Sequence, residues 1–253
     1  MWRSILTHGH VDRPSSYLPG SPRCRMCEIP MGGFGGFLMK TLRGREPSRK
    51  NPNMCNLCDD VLPAGGAEVD IAVLFADIRG STGIGESVGS SEFASLLNRF
   101  YLISQQALLP RRAIIDKLIG DEVMAFFIPA FDPDYRRTAV EAAVELQQSL
   151  LAAGSGGGPL VPVGIGVHAG PAYVGKVGTR DVSDFTAVGD TVNTASRLQA
   201  LAGQGEIVIS EALASTAPPE FQDAERRSVE VRGREAPLDV RVLKVRAQDA
   251  INV

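Results

Sequence analysis

The apolar segment at residues 69–78, VDIAVLFADI, constrains the fold most, because it runs almost without a polar break until Asp77. A short continuous apolar run of this kind is typical of a strand that is buried on both faces of a sheet. Residues 117–127, KLIGDEVMAFF, join two shorter apolar runs and predict a hairpin with Gly120 and Asp121 at its turn. Taken alone, Asp121 is most simply interpreted as a solvated turn residue.

From residue 90 onward, the chain mixes helical and strand-like segments. Apolar residues at helical spacing predict three helices, at residues 90–109, 134–154 and 190–203. Ser90 or Ser91 is the expected N-cap of the first helix, and Gly154 is expected to close the second. Further strands are predicted at residues 161–170 and 172–178 (as a pair), at 205–210, and in a closing hairpin at 227–245, with a short helix at 211–216. This irregular mixture favours an α+β sheet covered by helices over a doubly wound parallel sheet.

All four cysteines lie in the first 60 residues, as two CxxC pairs: Cys24 with Cys27, and Cys55 with Cys58. Each pair places two thiolates on one tight turn, so two pairs together are a strong indication of a metal site. A structural zinc ion is favoured, an iron–sulfur cluster suits four thiolates equally well, and a thiol–disulfide switch is a third interpretation. Four unliganded cysteines are disfavoured, because chance rarely pairs cysteines twice.

The head of the chain, residues 1–62, is rich in Gly, Pro and Arg and is mildly basic, with nine Lys and Arg against five Asp and Glu in its first 60 residues. Such a segment buries little apolar core by itself, so a metal clip would supply the missing stability. The run GGFGG lacks the flanking features of a phosphate-binding loop and is interpreted as turn glycines. His8 and His10 are interpreted as solvated, although either could join a metal site.

The composition excludes several classes of partner. A formal net charge of −3 gives no reason to expect nucleic acid. No apolar run approaches the ~20 residues of a membrane helix, and the first residues, MWRSILTHGHVDRP, contain too short an apolar stretch for a signal peptide. We therefore expect a cytoplasmic chain without a membrane span and with reduced thiols.

Two aspartates lie at predicted strand ends. Asp77 precedes a glycine-containing turn, whose backbone N–H groups suit an anion, and Asp121 lies at the turn of a different strand pair. Two Mg²⁺ ions that hold a polyphosphate need this arrangement, because hard cations prefer oxygen ligands. Neither residue is informative alone, since single aspartates at strand ends are more often caps.

A third polar group lies on the predicted helix at residues 190–203. Asn193 and Arg197 are four residues apart and therefore share one helix face. An amide and a guanidinium on one face suit a sugar hydroxyl and a phosphoryl group, although a solvated arginine beside a polar asparagine is the simpler interpretation.

Three segments in this order and spacing, FADIRGST, KLIGDEVMAFF and VGDTVNTASRL, resemble the class III nucleotidyl cyclases, and the similarity covers residues 69–245. The resemblance implies a ferredoxin-like sheet covered by helices, and a dimer with the active site between two subunits. It also implies that Asp77 and Asp121 hold two Mg²⁺ or Mn²⁺ ions with help from the Ile78 carbonyl, while the partner supplies Asn193 for the ribose and Arg197 for the α-phosphoryl oxygens.

The resemblance further implies where the phosphates bind. Gly80, Ser81 and Thr82 correspond to the phosphate-binding turn, and Arg232 or Arg234 corresponds to the basic residue on the terminal phosphates, with Arg234 as our choice. The family commonly has phenylalanine where this chain has Ser81, which implies altered packing and not inactivity.

Two positions of the resemblance concern the base. Lys117 corresponds to the lysine of adenine-selective members, and Thr186 stands where many adenylyl cyclases have aspartate and a bicarbonate-responsive bacterial subgroup has threonine. Guanylyl cyclases usually have glutamate and cysteine at these positions. The pair implies ATP as substrate and bicarbonate as an activator, although a hydroxyl both donates and accepts, so Thr186 alone discriminates poorly.

The sequence thus predicts a homodimeric adenylate cyclase of the signal-transduction type, with a catalytic domain at residues 63–253. A Cys₄ module at residues 1–62 is expected to regulate it or to stabilise the dimer. The alternatives are a guanylyl cyclase, and a catalytically silent module that binds nucleotide or senses the redox state.

Overall fold

The computed structural model describes residues 2–8, 18–49, 51–60, 65–155, 161–179, 183–221, 223–230 and 236–245. The helices are α1 (Trp2–His8), α2 (Gly33–Arg43), α3 (Asn56–Asp60), α4 (Ser81–Val88), α5 (Ser90–Leu108), α6 (Tyr135–Ser155) and α7 (Asp190–Leu201). The strands are β1 (Gly65–Ile78), β2 (Ile114–Ile119), β3 (Glu122–Phe127), β4 (Val163–Gly178), β5 (Ser183–Val188), β6 (Glu206–Ser210), β7 (Glu225–Val229) and β8 (Leu238–Lys244). Two 3₁₀ helices, Glu211–Thr216 and Pro219–Phe221, precede β7.

The described strands form one eight-stranded sheet in the order β2-β3-β1-β4-β6-β8-β7, with β5 paired to β4 outside this path. β6 lies parallel to β4, and the other neighbours are antiparallel. β1 pairs with β4 along its whole length, from Gly65 opposite Lys176 to Ile78 opposite Val163. The predicted α+β sheet covered by helices is confirmed.

The two faces of β1 serve two different cores, because successive side chains of a strand point to opposite faces. Leu74, Ala76 and Ile78 pack in a buried cluster with residues of α5 and α6, such as Phe100 and Leu146. The intervening residues Ile71, Val73 and Phe75 belong to a second buried cluster, which includes the head and Ala195 of α7. We call the side of the sheet that carries this second cluster the head face.

The head packs against the head face through apolar and polar contacts. Leu6 is fully buried there, and its carbonyl accepts a hydrogen bond from the Ala130 N–H at 3.0 Å. The ring of Trp2 stacks on that of Phe185 with centroids 6.3 Å apart. Asn53 Nδ2 donates to the carbonyl of Leu109 and to that of Ala113, at 3.0 Å each.

Three local predictions were wrong. The two strands predicted at residues 161–170 and 172–178 are the single strand β4, Val163–Gly178, and its hairpin partner is β5, which the sequence did not indicate. The N-cap of α5 is Gly89, one residue before the two serines, because the short helix α4 ends directly in front of it. Of the glycines of GGFGG, Gly32 is the N-cap of α2, and Gly33, Gly35 and Gly36 lie within the helix and not in a turn.

The other elements agree with expectation within one or two residues. The hairpin of β2 and β3, the helix α7, and the strands β6, β7 and β8 lie where they were predicted. α6 runs to Ser155, one residue past Gly154. Among the described helices, none combines the length and the apolar character that crossing a lipid bilayer requires.

Candidate active site and cysteine cluster

The pairing of β1 with the β2–β3 hairpin brings Asp77 and Asp121 together at one edge of the molecule. Asp77 lies opposite Glu122 in the register, and the Ile78 N–H donates to the Asp121 carbonyl at 3.1 Å. Gly120 takes a left-handed φ of 60° at the turn, a conformation that favours glycine. The Tyr101 hydroxyl donates to the Gly120 carbonyl at 2.5 Å, which ties α5 to this turn.

Negative charge is concentrated at this edge. Burial raises the pKa of Asp77 above its ordinary value, Arg79 opposes the shift, and the neighbouring Asp121 adds to it. Burial together with Asp77 and Asp121 also raises the pKa of Glu122. A set of partly buried carboxylates that disfavour one another's ionisation fits the donor set of hard divalent cations.

In this structure, two residues that the sequence did not single out contact the Asp77 carboxylate. The Arg79 guanidinium forms an ion pair with Asp77 Oδ2, and Gln199 Nε2 of α7 donates to the same oxygen at 3.3 Å. The position of Arg79, two residues after the aspartate, was a signal in the sequence. The contact with Gln199 was not readable, because it depends on how α7 packs.

The proposed phosphate turn lies directly beyond this carboxylate group. Gly80 is the N-cap of α4, with a left-handed φ of 71° and no side-chain cap, and Ser81 and Thr82 are the first helical residues. Because the first N–H groups of a helix have no intrahelical acceptor, this turn keeps the anion-binding character expected of it. Arg232 and Arg234 lie outside the described residues.

Lys117 and Asn193 line a common cavity of about 270 Å³, which lies between the β2–β3 hairpin and the start of α7. Phe75, Glu122 and Val188 are further lining residues. Of the described residues, those that line this cavity include neither Asp77 nor Asp121. One chain therefore carries a carboxylate group and a cavity with a lysine and an amide, and Glu122 belongs to both.

Thr186 lies beside the cavity, in a network with two charged residues of β2. Its hydroxyl donates to Asp116 Oδ2 at 2.6 Å, and the Lys117 Nζ lies 3.7 Å from the same oxygen. Thr186 and Asp116 are 4% and 2% exposed. Asp116 was missed in the sequence, although a carboxylate in the apolar run AIIDKLI is the signal that could have indicated it.

Close packing of α7 on β4 places Asn193 and Arg197. A Cβ atom on Gly166 of β4 would lie 2.1 Å from the Gln199 N and 2.5 Å from the Ala195 O, so only glycine allows this approach. Asn193 is exposed and Arg197 is half-buried, one helical turn apart on α7.

The four cysteines form one compact group in the head. The Sγ atoms of Cys24, Cys27, Cys55 and Cys58 all lie within 4.8 Å of one another, and that of Cys27 is 3.8 Å from that of Cys55. Four thiolates on one ion with Zn–S bonds of ~2.3 Å lie about 3.8 Å apart, so this spacing suits a single tetrahedral metal ion. A polynuclear iron–sulfur cluster binds its thiolates on different iron atoms and needs a wider arrangement.

The backbone around the cysteines holds this geometry. The Arg25 N–H donates to the Asn53 carbonyl at 2.9 Å, which joins the two CxxC turns. The Cys55 N–H donates to Cys24 Sγ at 3.2 Å, and Arg45 Nη1 donates to Cys55 Sγ at 3.4 Å. N–H groups and a guanidinium directed at sulfur stabilise the thiolate form that metals bind.

Hydrogen bonding among the four thiols shifts their pKa values in opposite directions. Hydrogen bonding with Cys27 lowers the pKa of Cys24 to about 7, and hydrogen bonding with Cys24 lowers the pKa of Cys55. The pKa values of Cys27 and Cys58 are raised, first of all by their hydrogen bonds with Cys24. Hydrogen bonding within the group therefore favours the thiolate forms of Cys24 and Cys55 over those of Cys27 and Cys58.

The two histidines do not extend this group where the structure describes them. His8 lies at the exposed end of α1, with its Nδ1 2.7 Å from the Thr7 hydroxyl. His10 lies outside the described residues. The cysteines alone account for the candidate metal site in the described part of the head.

Residues 66–244 match the family described as the adenylate and guanylate cyclase catalytic domain. An adenylate cyclase of Anabaena cylindrica is 33% identical over 187 residues, which cover 69% of this chain and 36% of that protein. An uncharacterised protein of Mycobacterium bovis is 33% identical over 138 residues, covering 54% of this chain and 24% of that protein. The chain thus spans about a quarter to a third of the length of these relatives.

Solved structures of both nucleotide specificities resemble this fold. The guanylyl cyclase Cya2 superposes with a TM-score of 0.64 and 26% identity, covering 72% of this chain and 95% of that one. The adenylyl cyclase CyaB from P. aeruginosa gives a TM-score of 0.61 and 28% identity, covering 71% and 96%.

The raised pKa of Asp77 predicts that its charge destabilises the cation-free fold. Because the pKa of Asp77 is higher in the folded chain than its ordinary value of 3.8, the protonated form of Asp77 favours the folded state. This stabilisation is fully present below pH 3.8 and is lost as the pH rises through the pKa of Asp77 in the folded chain. Asp77→Asn should therefore raise the free energy of unfolding at pH 7 without added divalent cations, and should change it less near pH 4. Urea unfolding at both pH values measures this.

Asp70→Asn is the matched control. Asp70 accepts hydrogen bonds from Tyr135 and Arg136, so its substitution should lower the free energy of unfolding by about 1 kcal/mol. If Asp77→Asn destabilises the protein at pH 7 as much as Asp70→Asn does, the charge repulsion inferred for this edge is wrong.

Proposed function

The chain belongs to the class III nucleotidyl cyclases, and we propose that it is an adenylyl cyclase that converts ATP into 3′,5′-cyclic AMP and pyrophosphate. The observation that carries the choice of base is the position of Lys117, whose side chain is 41% exposed and lines the cavity beside Asn193. An ammonium group donates to the unprotonated N1 of adenine, whereas N1 of guanine carries a proton. The similarity to an adenylate cyclase from Anabaena cylindrica supports the same choice.

Two divalent cations, Mg²⁺ or Mn²⁺, would be held by Asp77 and Asp121 with the Ile78 carbonyl. The raised pKa of Asp77 beside Asp121 supports this, because a cation relieves the repulsion between two partly buried carboxylates. When bound, the cations supply Lewis acidity, which lowers the pKa of the ribose 3′-hydroxyl and neutralises the phosphates. Arg79, the present counter-charge of Asp77, would have to release that carboxylate.

The protein's own side chains then orient the nucleotide. Lys117 and Thr186 would bind the base edge, and the Asn193 amide would position the ribose so that its 3′-oxygen faces the α-phosphorus. Arg197 would stabilise the negative charge that grows on the α-phosphoryl oxygens, and Arg234 would bind the terminal phosphates. The N–H groups of Gly80, Ser81 and Thr82 would bind phosphate oxygens at the start of α4.

A homodimer would complete the site. Within one chain Asp77 and Asp121 do not line the Lys117 cavity, so two copies that face each other would bring the two aspartates of one chain to the cavity of the other, in two equivalent composite sites. Apolar side chains near the cavity are exposed in the single chain, namely Leu118, Ile119 and Val188. Exposed apolar side chains in one region are typical of an interface.

A structural zinc ion in the Cys₄ group would hold the two CxxC turns of the head together. We place the chain in the reducing cytoplasm, where the thiols stay available to the metal. The close spacing of the four sulfurs supports one ion over a polynuclear cluster. The head packs on the head face of the sheet, so the clip would act on the cyclase through that contact, either as a regulator or as a support. Bicarbonate is the activator that Thr186 suggests.

Purified protein with Mg²⁺ or Mn²⁺ should form cyclic AMP from ATP with a kcat/KM at least about tenfold higher than that for cyclic GMP from GTP, with bicarbonate raising the rate. Both products are measured with and without bicarbonate, and Asp121→Asn serves as the inactive control. A preference for GTP would identify a guanylyl cyclase instead. The absence of any cyclic product from folded, dimeric protein would favour a silent nucleotide-binding module.

Cys24→Ser should abolish binding of the head metal, because three remaining thiolates hold a structural ion less tightly than four. Elemental analysis should find one zinc per chain in the wild type and at least about tenfold less in the variant, together with a lower Tm. His8→Gln is the matched control and should retain the metal. Unchanged zinc in Cys24→Ser would remove the site, and iron in place of zinc would correct the choice of metal.

A further inference from the structure

We infer that Asp116 is a specificity-determining positioning residue, which makes the Thr186 hydroxyl an obligatory hydrogen-bond acceptor and so selects adenine. The inference rests on the proposed function, because it explains how a threonine can read the base of ATP. The observation that carries it is the hydrogen bond from the Thr186 hydroxyl to Asp116 Oδ2, at 2.6 Å.

A free threonine hydroxyl cannot distinguish adenine from guanine. It accepts from the 6-amino group of adenine through a lone pair, and it donates to the 6-oxo group of guanine through its proton. A threonine at a base-reading position therefore accepts both adenine and guanine, unless its single hydroxyl proton is already hydrogen-bonded to another group of the protein.

Asp116 accepts the hydrogen bond that this proton makes. An ionised carboxylate only accepts, so a hydroxyl at 2.6 Å from it has to donate, and only its lone pairs are left for a ligand. The arrangement is firm, because Thr186 and Asp116 are 4% and 2% exposed and water cannot readily replace either partner.

The same carboxylate also faces the second base-reading residue. Lys117 Nζ lies 3.7 Å from Asp116 Oδ2, the oxygen that also accepts from Thr186, so this attraction holds the ammonium group close to Thr186. One aspartate therefore sets a donor and an acceptor side by side. Adenine offers the complementary pair, an N1 acceptor and an amino donor, whereas guanine opposes both with its N1–H and its 6-oxo group.

The placement of these residues follows from the sheet. Ile115 and Lys117 of β2 flank Asp116 at an irregularity in the pairing of β2 with β3. Thr186 pairs with Gly175 of β4 and immediately precedes Ala187, which lines the cavity with Lys117. Lys117 and Ala187 line the cavity that the proposed function assigns to the base, and Asp116 and Thr186 directly precede them in the chain.

Asp116→Asn tests the inference, because an asparagine amide can donate to the Thr186 oxygen and release the threonine proton toward the ligand. The substrates are ATP, ITP (which has the 6-oxo edge of GTP without its 2-amino group) and purine riboside triphosphate, which lacks any 6-substituent. The ratio of kcat/KM for ATP to that for ITP should fall at least about tenfold in the variant. Asp223→Asn, at an exposed aspartate, should leave the ratio unchanged.

A double-mutant cycle separates this role from a structural one. In a Thr186→Val background, Asp116→Asn should change the ATP-to-ITP ratio much less than in the wild type, because the hydroxyl is gone and only the contact of Asp116 with Lys117 is left to act. A merely structural aspartate would lower both kcat/KM values together and leave the ratio unchanged. That result, or an equal change of the ratio in the Thr186→Val background, would overturn the inference.

The wild-type protein gives a test that does not depend on the variant folding. Purine riboside triphosphate leaves the Thr186 acceptor without a donor, so its kcat/KM should be at least about tenfold below that of ATP. Equal values would overturn the inference. A wild-type preference for GTP over ATP would refute the adenylyl assignment before any variant is made, whereas an ATP preference that Asp116→Asn leaves intact would refute only the role of Asp116.

Discussion

The antiparallel pairing of β1 with β4 is the constraint on which the rest of this structure depends. It runs from Gly65 opposite Lys176 to Ile78 opposite Val163, so it fixes which β1 side chains face each core. A slip by one residue would turn Asp77 to the opposite face. The same strand β4 carries Gly166, where α7 docks, and holds β5 with Thr186. One register therefore positions the carboxylate edge, the helix with Asn193, and the strand with Thr186.

The head completes a sheet that would otherwise have an uncovered apolar face. Ile71 and Val73 of β1 are fully buried together with head residues such as Leu6 and Met54. Burying a side chain of this size contributes about 2 kcal/mol to the free energy of unfolding. In a short segment, the entropy lost on ordering the backbone offsets this gain unless other contacts hold the backbone in place. The cysteine group meets this need, because its hydrogen bonds join the two CxxC turns across the head.

Much of the catalytic half could be predicted from the sequence, because its signals are local. The Gly120–Asp121 turn, the strand before Asp77 and the helix with Asn193 each depend on periodicity within one segment. The single strand β4 was missed because Gly170 and Pro171 interrupt its apolar pattern, although both residues pair with β1. The contacts of Asp116 with Thr186 and of Gln199 with Asp77 join residues 70 and 122 positions apart, and no local pattern records them.

The central claim is that two copies of the chain share each active site, and complementation of inactive variants tests it most directly. Asp77→Ala removes the carboxylate half and Arg197→Ala the other half, so each homodimer should be inactive. Random mixing gives half heterodimers, each with one intact site of two, which predicts recovery of about a quarter of the wild-type rate of cyclic AMP formation. Verified heterodimers without recovered activity would contradict the shared site.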